Sequence, residues 1–117
     1  MKSFLFILND APYGSERSYN GLRLANAIAR REDHAVRVFL MGDAATCARR
    51  GQKLPVGYYS IETMLGNLHR HSGEVGVCGT CMDARGLTED DLIEGCHRGT
   101  LDELAGWTGA ADQVLVF

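Results

Sequence analysis

Ser3-Phe4-Leu5-Phe6-Ile7-Leu8, followed by Asn9-Asp10-Ala11-Pro12-Tyr13-Gly14, decides how the rest of the chain is read. A continuous apolar run without alternation belongs to a strand covered on both faces, the habit of parallel sheets. Asn, Asp, Pro and Gly in close succession then end it in a loop. Ser15 stands at the cap position of a helix whose buried face is Leu22, Leu24, Ala25, Ala27, Ile28 and Ala29. Arg30-Arg31 suit its C-terminal end. Gly21 inside it weakens the helix or marks close packing against a sheet.

The same strand, loop and helix order recurs outward from this unit. Val36-Arg37-Val38-Phe39-Leu40-Met41 reads as a second strand, ended by Gly42-Asp43, with Asp43 capping a short helix through Cys47. Residues 50–59 lack periodicity and read as a long loop, a kind that often serves function or an interface. Ser60 opens a helix with Ile61, Met64, Leu65 and Leu68 on one face, ending near His69-Arg70-His71-Ser72-Gly73. Val75-Gly76-Val77 is a short strand. Thr88 caps a short helix, and Gly95-Cys96-His97-Arg98-Gly99 is a glycine-bounded, very short strand. Thr100 and Glu103 form a capping box for a last helix with Leu101, Leu104, Ala105 and Trp107, before a closing strand over 112–117.

This alternation predicts one α/β domain over residues 1–117, a three-layer sandwich with an open, mostly parallel sheet flanked by helices. Right-handed crossovers follow. Ligands of such sheets sit at the carboxyl ends of strands. The loops at 9–14, 42–43 and 78–86 are therefore expected along one edge.

Composition bounds the function. The chain has 117 residues, 45% hydrophobic and 23% charged, enough for one core. A net charge of -3 argues against a nucleic-acid binder working through a basic face. No apolar run approaches the ~20 residues that span a bilayer. The first residues lack the small-residue cleavage site of a signal peptide. The expectation is a cytoplasmic protein that binds neither nucleic acid nor membrane. Its four cysteines, Cys47, Cys78, Cys81 and Cys96, are then reduced.

Cys78-Gly79-Thr80-Cys81 carries the chemistry. A thiol becomes a nucleophile as its thiolate, which cations and helix N-termini favour. Arg85 lies close in sequence, and the amides of Gly79 and Thr80 can turn toward a sulfur. Such a loop suits a nucleophile that takes and gives sulfur as a persulfide, or a dithiol that closes to a disulfide. Cys78 follows the strand directly and is the better placed thiol. Cys81 is its resolving partner or a bystander. Asn9, Asp10 and Tyr13 fall at the same edge and are assigned to the pocket with Gly79 and Thr80; Asp10 serves equally as a base, a ligand anchor or turn chemistry.

Blander and rival readings stand beside this one. Both thiols can be small buried hydrophobes, although Gly76, Gly79, Gly86, Thr80, Asp83 and Arg85 give the stretch a loop composition. A zinc site needs Cys78, Cys81, Cys96 and His97, but the last two are adjacent and strain to reach one ion. No metal or other cofactor is expected. A thioredoxin-like oxidoreductase places its motif after an early strand and before a long helix, not past mid-chain. His69 and His71 suit a helix C-terminus. His34 reads as a surface residue, Cys47 as packing, and Trp107 as core or interface.

With these residues in place, the chain resembles the DsrE/DsrF-like family, and within it a YchN-like subgroup. The resemblance runs over nearly the whole length. It rests on Asn9-Asp10-Ala11-Pro12-Tyr13-Gly14-Ser15-Glu16, Leu22-Arg23-Leu24-Ala25, residues 37–44, Arg50-Gly51-Gln52-Lys53, residues 78–86, Gly99-Thr100-Leu101, and Leu104-Ala105 with Trp107-Thr108. It implies a DsrE-type sandwich and a compact homo-oligomer, a hexamer built as a trimer of dimers. It implies sulfur relay, with one cysteine carrying a persulfide between donor and acceptor proteins or small thiols. The family's sulfur-carrying position follows this strand, eight residues before the Gly of an Arg-Gly pair; Cys78, eight before Gly86, matches it. Cys81 matches the second cysteine of the subgroup, not the general carrier pattern, and leaves a disulfide-forming or metal-assisted variant open. The contrasting class is a non-enzymatic oligomeric module that binds a small ligand or partner, with an anion at the Gly14-Ser15 helix start.

Overall fold

The structure, a computed structural model, describes residues 1–117. Five strands, β1 (Lys2–Leu8), β2 (His34–Leu40), β3 (Glu74–Cys78), β4 (Cys96–Gly99) and β5 (Gln113–Val116), form one sheet in the order β4-β3-β2-β1-β5. Every pairing is parallel. The helices are α1 (Arg17–Ala29), α2 (Ile61–Arg70), α3 (Gly79–Asp83) and α4 (Leu101–Ala110), with single 3-10 segments at Gly42–Ala48 and Glu89–Asp91.

The strand order explains the apolar runs. β1 lies between β2 and β5, so both faces of Phe4-Leu5-Phe6-Ile7-Leu8 need cover. Phe4, Phe6 and Leu8 join the main core with Leu22 and Ala25 of α1 and Leu65 and Leu68 of α2. Leu5 points the other way and meets only Phe39 and Leu104, with Ile7, Met41, Cys78 and Trp107 packed around them. The sandwich is lopsided: one face has the main core, and the other has α4 alone. Leu101, Val114 and Val116 stay exposed there.

Local chemistry sets the helix ends. The Ser60 hydroxyl accepts from the amide of Thr63, and the Thr100 hydroxyl from the amide of Glu103, as their positions predict. The reciprocal half of the second box is absent, because the Glu103 carboxylate is bound to the His97 ring at 2.8 Å. α1 starts later than expected: Glu16 is its N-cap and offers no side-chain bond. The Ser15 hydroxyl donates to Asp10 Oδ2 at 2.6 Å and accepts the amide of Arg17 at 3.4 Å, so it serves the loop and the helix start together. Asp43 likewise lies in the first turn of the 3-10 segment, whose N-cap is Met41, rather than capping it.

Candidate functional site

Parallel strands put all their carboxyl ends on one edge, so the β2, β3 and β1 loops converge there. β3 runs straight into α3, and Cys78 is both the last residue of the strand and the N-cap of the helix. An N-cap side chain faces the orphan amides of the first turn. The Cys78 sulfur makes no capping bond of its own and lies 3.4 Å from the Thr80 hydroxyl. Cys81 falls at the third position of α3, where a side chain comes back toward the cap. Its sulfur accepts the amide of Gly42 at 3.2 Å. Gly42 has φ 53°, a left-handed conformation that costs glycine little.

The two thiols are electrically unequal. Partial burial works against ionising Cys78, but the Cys81 thiol, the Thr80 hydroxyl and the amides of Cys81 and Thr80 together hold it below the ordinary thiol value. Cys81 goes the other way. Partial burial raises it, the neighbouring Cys78 sulfur raises it further, and the Gly42 amide and Arg85 only moderate the rise. Cys78 is thus the more readily ionised thiol of the pair and Cys81 the less. Cys47 is fully buried and Cys96 half-buried against the core, and burial pushes each up to about 12. One of four cysteines is thus prepared for attack.

Both sulfurs open into a cleft of about 470 Å³ whose walls include Met41, Arg98, Thr100 and Leu101. A larger groove of about 570 Å³ runs between α1 and α2, but its lining holds no thiol, acid or histidine. Arg98 was not foreseen from the sequence. It belongs to β4, which pairs with β3 so that Gly99 stands opposite Cys78. The guanidinium forms a two-pronged pair with Asp83 at 2.8 and 3.0 Å. It lies against Gly79, where an added Cβ would meet it at 2.9 Å. The Cys78 sulfur is among the negative groups that strengthen its hold on its proton. A glycine at 79 before a paired arginine is the one local hint of this arrangement.

The other expected site residues fall in three places. Gly79 and Thr80 line the cleft with Cys78 and Cys81. Arg85 turns away from Cys78: it binds Asp43 at 2.8 Å and the Cys81 carbonyl at 3.1 Å, tying the β2 loop to α3. Asn9 donates to the Phe117 carbonyl, and its own carbonyl lies against Gly42, behind the site. Asp10 and Tyr13 are drawn toward α1 and α2. Asp10 binds Ser15, and the Tyr13 hydroxyl accepts the amide of Ile61 at 3.1 Å within a cluster with Tyr58 and Tyr59. With a carboxylate on Ser15, the entrance to α1 already carries negative charge.

The rival zinc set does not converge. Cys96 packs into the main core, while His97, the next residue on the strand, faces Trp107 and Glu103 on the opposite side of the sheet. No group of three or more His, Cys, Asp or Glu side chains is placed to share an ion.

A lopsided parallel sandwich with two unequal thiols at the carboxyl edge of its third strand defines a class of small thiol-bearing α/β domains. The chain belongs to the DsrE/DsrF-like family, whose profile matches residues 2–117. The family is linked to sulfur relay. The chain is 47% identical over 118 residues to protein YchN of Escherichia coli, with 100% of each chain covered. It is 36% identical to an uncharacterized protein of Methanopyrus kandleri, covering 95% of this chain and 90% of that one. The crystal structure of the Escherichia coli protein superposes over 100% of both chains with a TM-score of 0.94. A protein of unknown function from Methanobacterium thermoautotrophicum, 16% identical, shares the fold at a TM-score of 0.73 over 98% of this chain and 99% of that one. No helix is long and apolar enough to cross a membrane.

Proposed function

We propose that this protein carries sulfane sulfur as a persulfide on Cys78, between protein or small-thiol partners in a reducing, cytoplasmic setting. The observation that carries the reading is the asymmetry of the four thiols: Cys78 alone is held below its ordinary value, in an open cleft with Arg98 on its wall. The Cys78 thiolate attacks the outer sulfur of a donor persulfide. The donor's inner sulfur leaves as a thiolate and takes a proton. The new persulfide anion then sits among the Thr80 hydroxyl, the first-turn amides and the guanidinium. An incoming acceptor thiolate reverses the exchange. Met41 and exposed Leu101 offer the apolar wall that a docking partner needs.

Self-assembly belongs to the same proposal. The face covered only by α4 leaves Leu101, Val114 and Val116 in water, which a homo-oligomer, a hexamer by family resemblance, would bury. Light scattering reads the order directly.

Incubation with a cysteine desulfurase and cysteine, followed by intact-mass measurement, tests the carrier role. One added sulfur per wild-type chain and none on Cys78→Ser is the expected result. No added sulfur on the wild type, or equal loading of Cys78→Ser, overturns it.

A further inference from the structure

Cys81 has its own hydrogen-bond donor, and that donor comes from a different loop. The Gly42 amide reaches the Cys81 sulfur from the end of β2 at 3.2 Å, while the Thr80 hydroxyl serves Cys78. Arg85 holds this loop against α3 through Asp43 and the Cys81 carbonyl. A carrier needs one thiolate. This cleft is built to support two, in succession.

We propose that Cys81 discharges the Cys78 persulfide as hydrosulfide, making the protein a reducer of sulfane sulfur as well as a carrier. The proposal rests on the persulfide reading above. The Cys81 thiolate attacks the inner sulfur, Cys78 Sγ. A Cys78–Cys81 disulfide forms, the bond to the outer sulfur breaks, and that sulfur takes the proton that Cys81 gave up and leaves as hydrosulfide. The two cysteine sulfurs together give up two electrons, and the sulfane sulfur takes both, so no oxidant is needed. A dithiol reductant resets the pair.

The order of events follows from the same contacts. Of the two thiols Cys78 ionises the more readily, and its charge then disfavours ionisation of Cys81. Sulfur transfer moves that charge one atom outward, onto the outer sulfur. The Gly42 amide and Arg85, which favour the Cys81 thiolate, stay where they are. Loading of Cys78 therefore arms Cys81. Two cysteines at the cap and third position of a helix can bridge as other Cys-x-x-Cys pairs do. A rapid acceptor takes the sulfur onward; without one, the cleft empties itself as sulfide.

Wild type and Cys81→Ser, both full chains, are loaded with inorganic polysulfide and desalted. Released sulfide, cyanide-labile sulfur and the mass after alkylation are then followed. The wild type is expected to release one sulfide per loaded chain and to gain a bridge that blocks alkylation of Cys78 and Cys81. Cys81→Ser should hold its sulfur about 100-fold longer or more, because an intramolecular nucleophile is lost. Equal retention on both proteins, with no bridge, overturns the discharge step and leaves the carrier intact. Absence of loading on either protein refutes the carrier reading and this step with it.

Discussion

Replacing Cys81 by alanine removes the neighbouring thiol that helps to hold Cys78 below its ordinary value and leaves the rest of its surroundings. A net hydrogen bond is worth about 0.5–1.5 kcal/mol. S–H is a weak donor and the cleft is open, so the lower part of that range applies, about 0.5–1 kcal/mol. At 1.36 kcal/mol per tenfold, the thiolate population below the midpoint falls by about two- to fivefold. The less stabilised thiolate is also a better nucleophile, with a Brønsted slope of about 0.4–0.5, which returns nearly half of the loss on a logarithmic scale. Iodoacetamide should then alkylate Cys78 about 1.5- to 2.5-fold more slowly in Cys81→Ala than in the wild type at pH below the midpoint. The sign reverses above it. Where both proteins are fully ionised, the variant should be the faster one. Rates across pH, with Cys78 identified by peptide mass, show whether the two profiles cross. Cys81→Ser keeps a donor and should follow the wild type. Superimposed profiles, or a Cys81→Ala that is faster at every pH, would refute the donor role of Cys81.

Arg98→Gln, or Gly79→Ala, which drives a Cβ into the guanidinium, should slow alkylation and persulfide loading of Cys78 without unfolding the domain; a circular dichroism spectrum and the loading assay together check this. Gly76→Ala puts a Cβ 2.9 Å from the buried Phe39 ring and 3.0 Å from Glu103. Overpacking costs about 1–3 kcal/mol, or about 4 °C of Tm per kcal/mol for a domain of this size, whereas Gly106→Ala meets nothing and should gain about 0.5–1 kcal/mol; opposite shifts in thermal melts are expected. The Asp112 carboxyl is held below its usual range chiefly by the Ser3 amide. Its stabilisation is present above the ordinary carboxylate range and lost as pH falls through the lowered value, so denaturant melts of Asp112→Asn and the wild type should differ at neutral pH and converge in acid.

Much of the fold was legible because each element carries a local signature. The unbroken run at Ser3–Leu8 demanded cover on both sides, and Ser60 and Thr100 stand where helix caps belong. What local pattern could not supply was which residues meet across the sheet. Arg98 reaches the Cys78 cleft only because β4 pairs beside β3, a pairing that the short segment Cys96–Gly99 does not advertise. Gly42 reads as a strand stop, yet its amide is the donor to Cys81. Arg85 lies near Cys78 in the chain but is turned outward by Asp43, a partner 42 positions away in sequence. Asp10 and Tyr13 share the right edge of the sheet with the thiols but answer to nearer partners, Ser15 and Ile61. Sequence places residues on an edge; pairing and competition for hydrogen bonds choose among them.

The uneven cover of the sheet also bears on motion. α4 is fastened to its face by Leu104 over Leu5 and Phe39, with Trp107 alongside, whereas α1 and α2 both pack into the main core. Cooperative units open in order of the apolar surface that holds them. In an isolated chain, α4 amides should exchange their hydrogens well ahead of those in α1, with β1 and β2 the last to yield. Since Leu101 and Thr100 at the start of α4 form one wall of the cleft, the least anchored helix is also the one beside the reactive sulfur. Breathing of α4 would widen the approach to Cys78 while the sheet that carries the thiol stays closed.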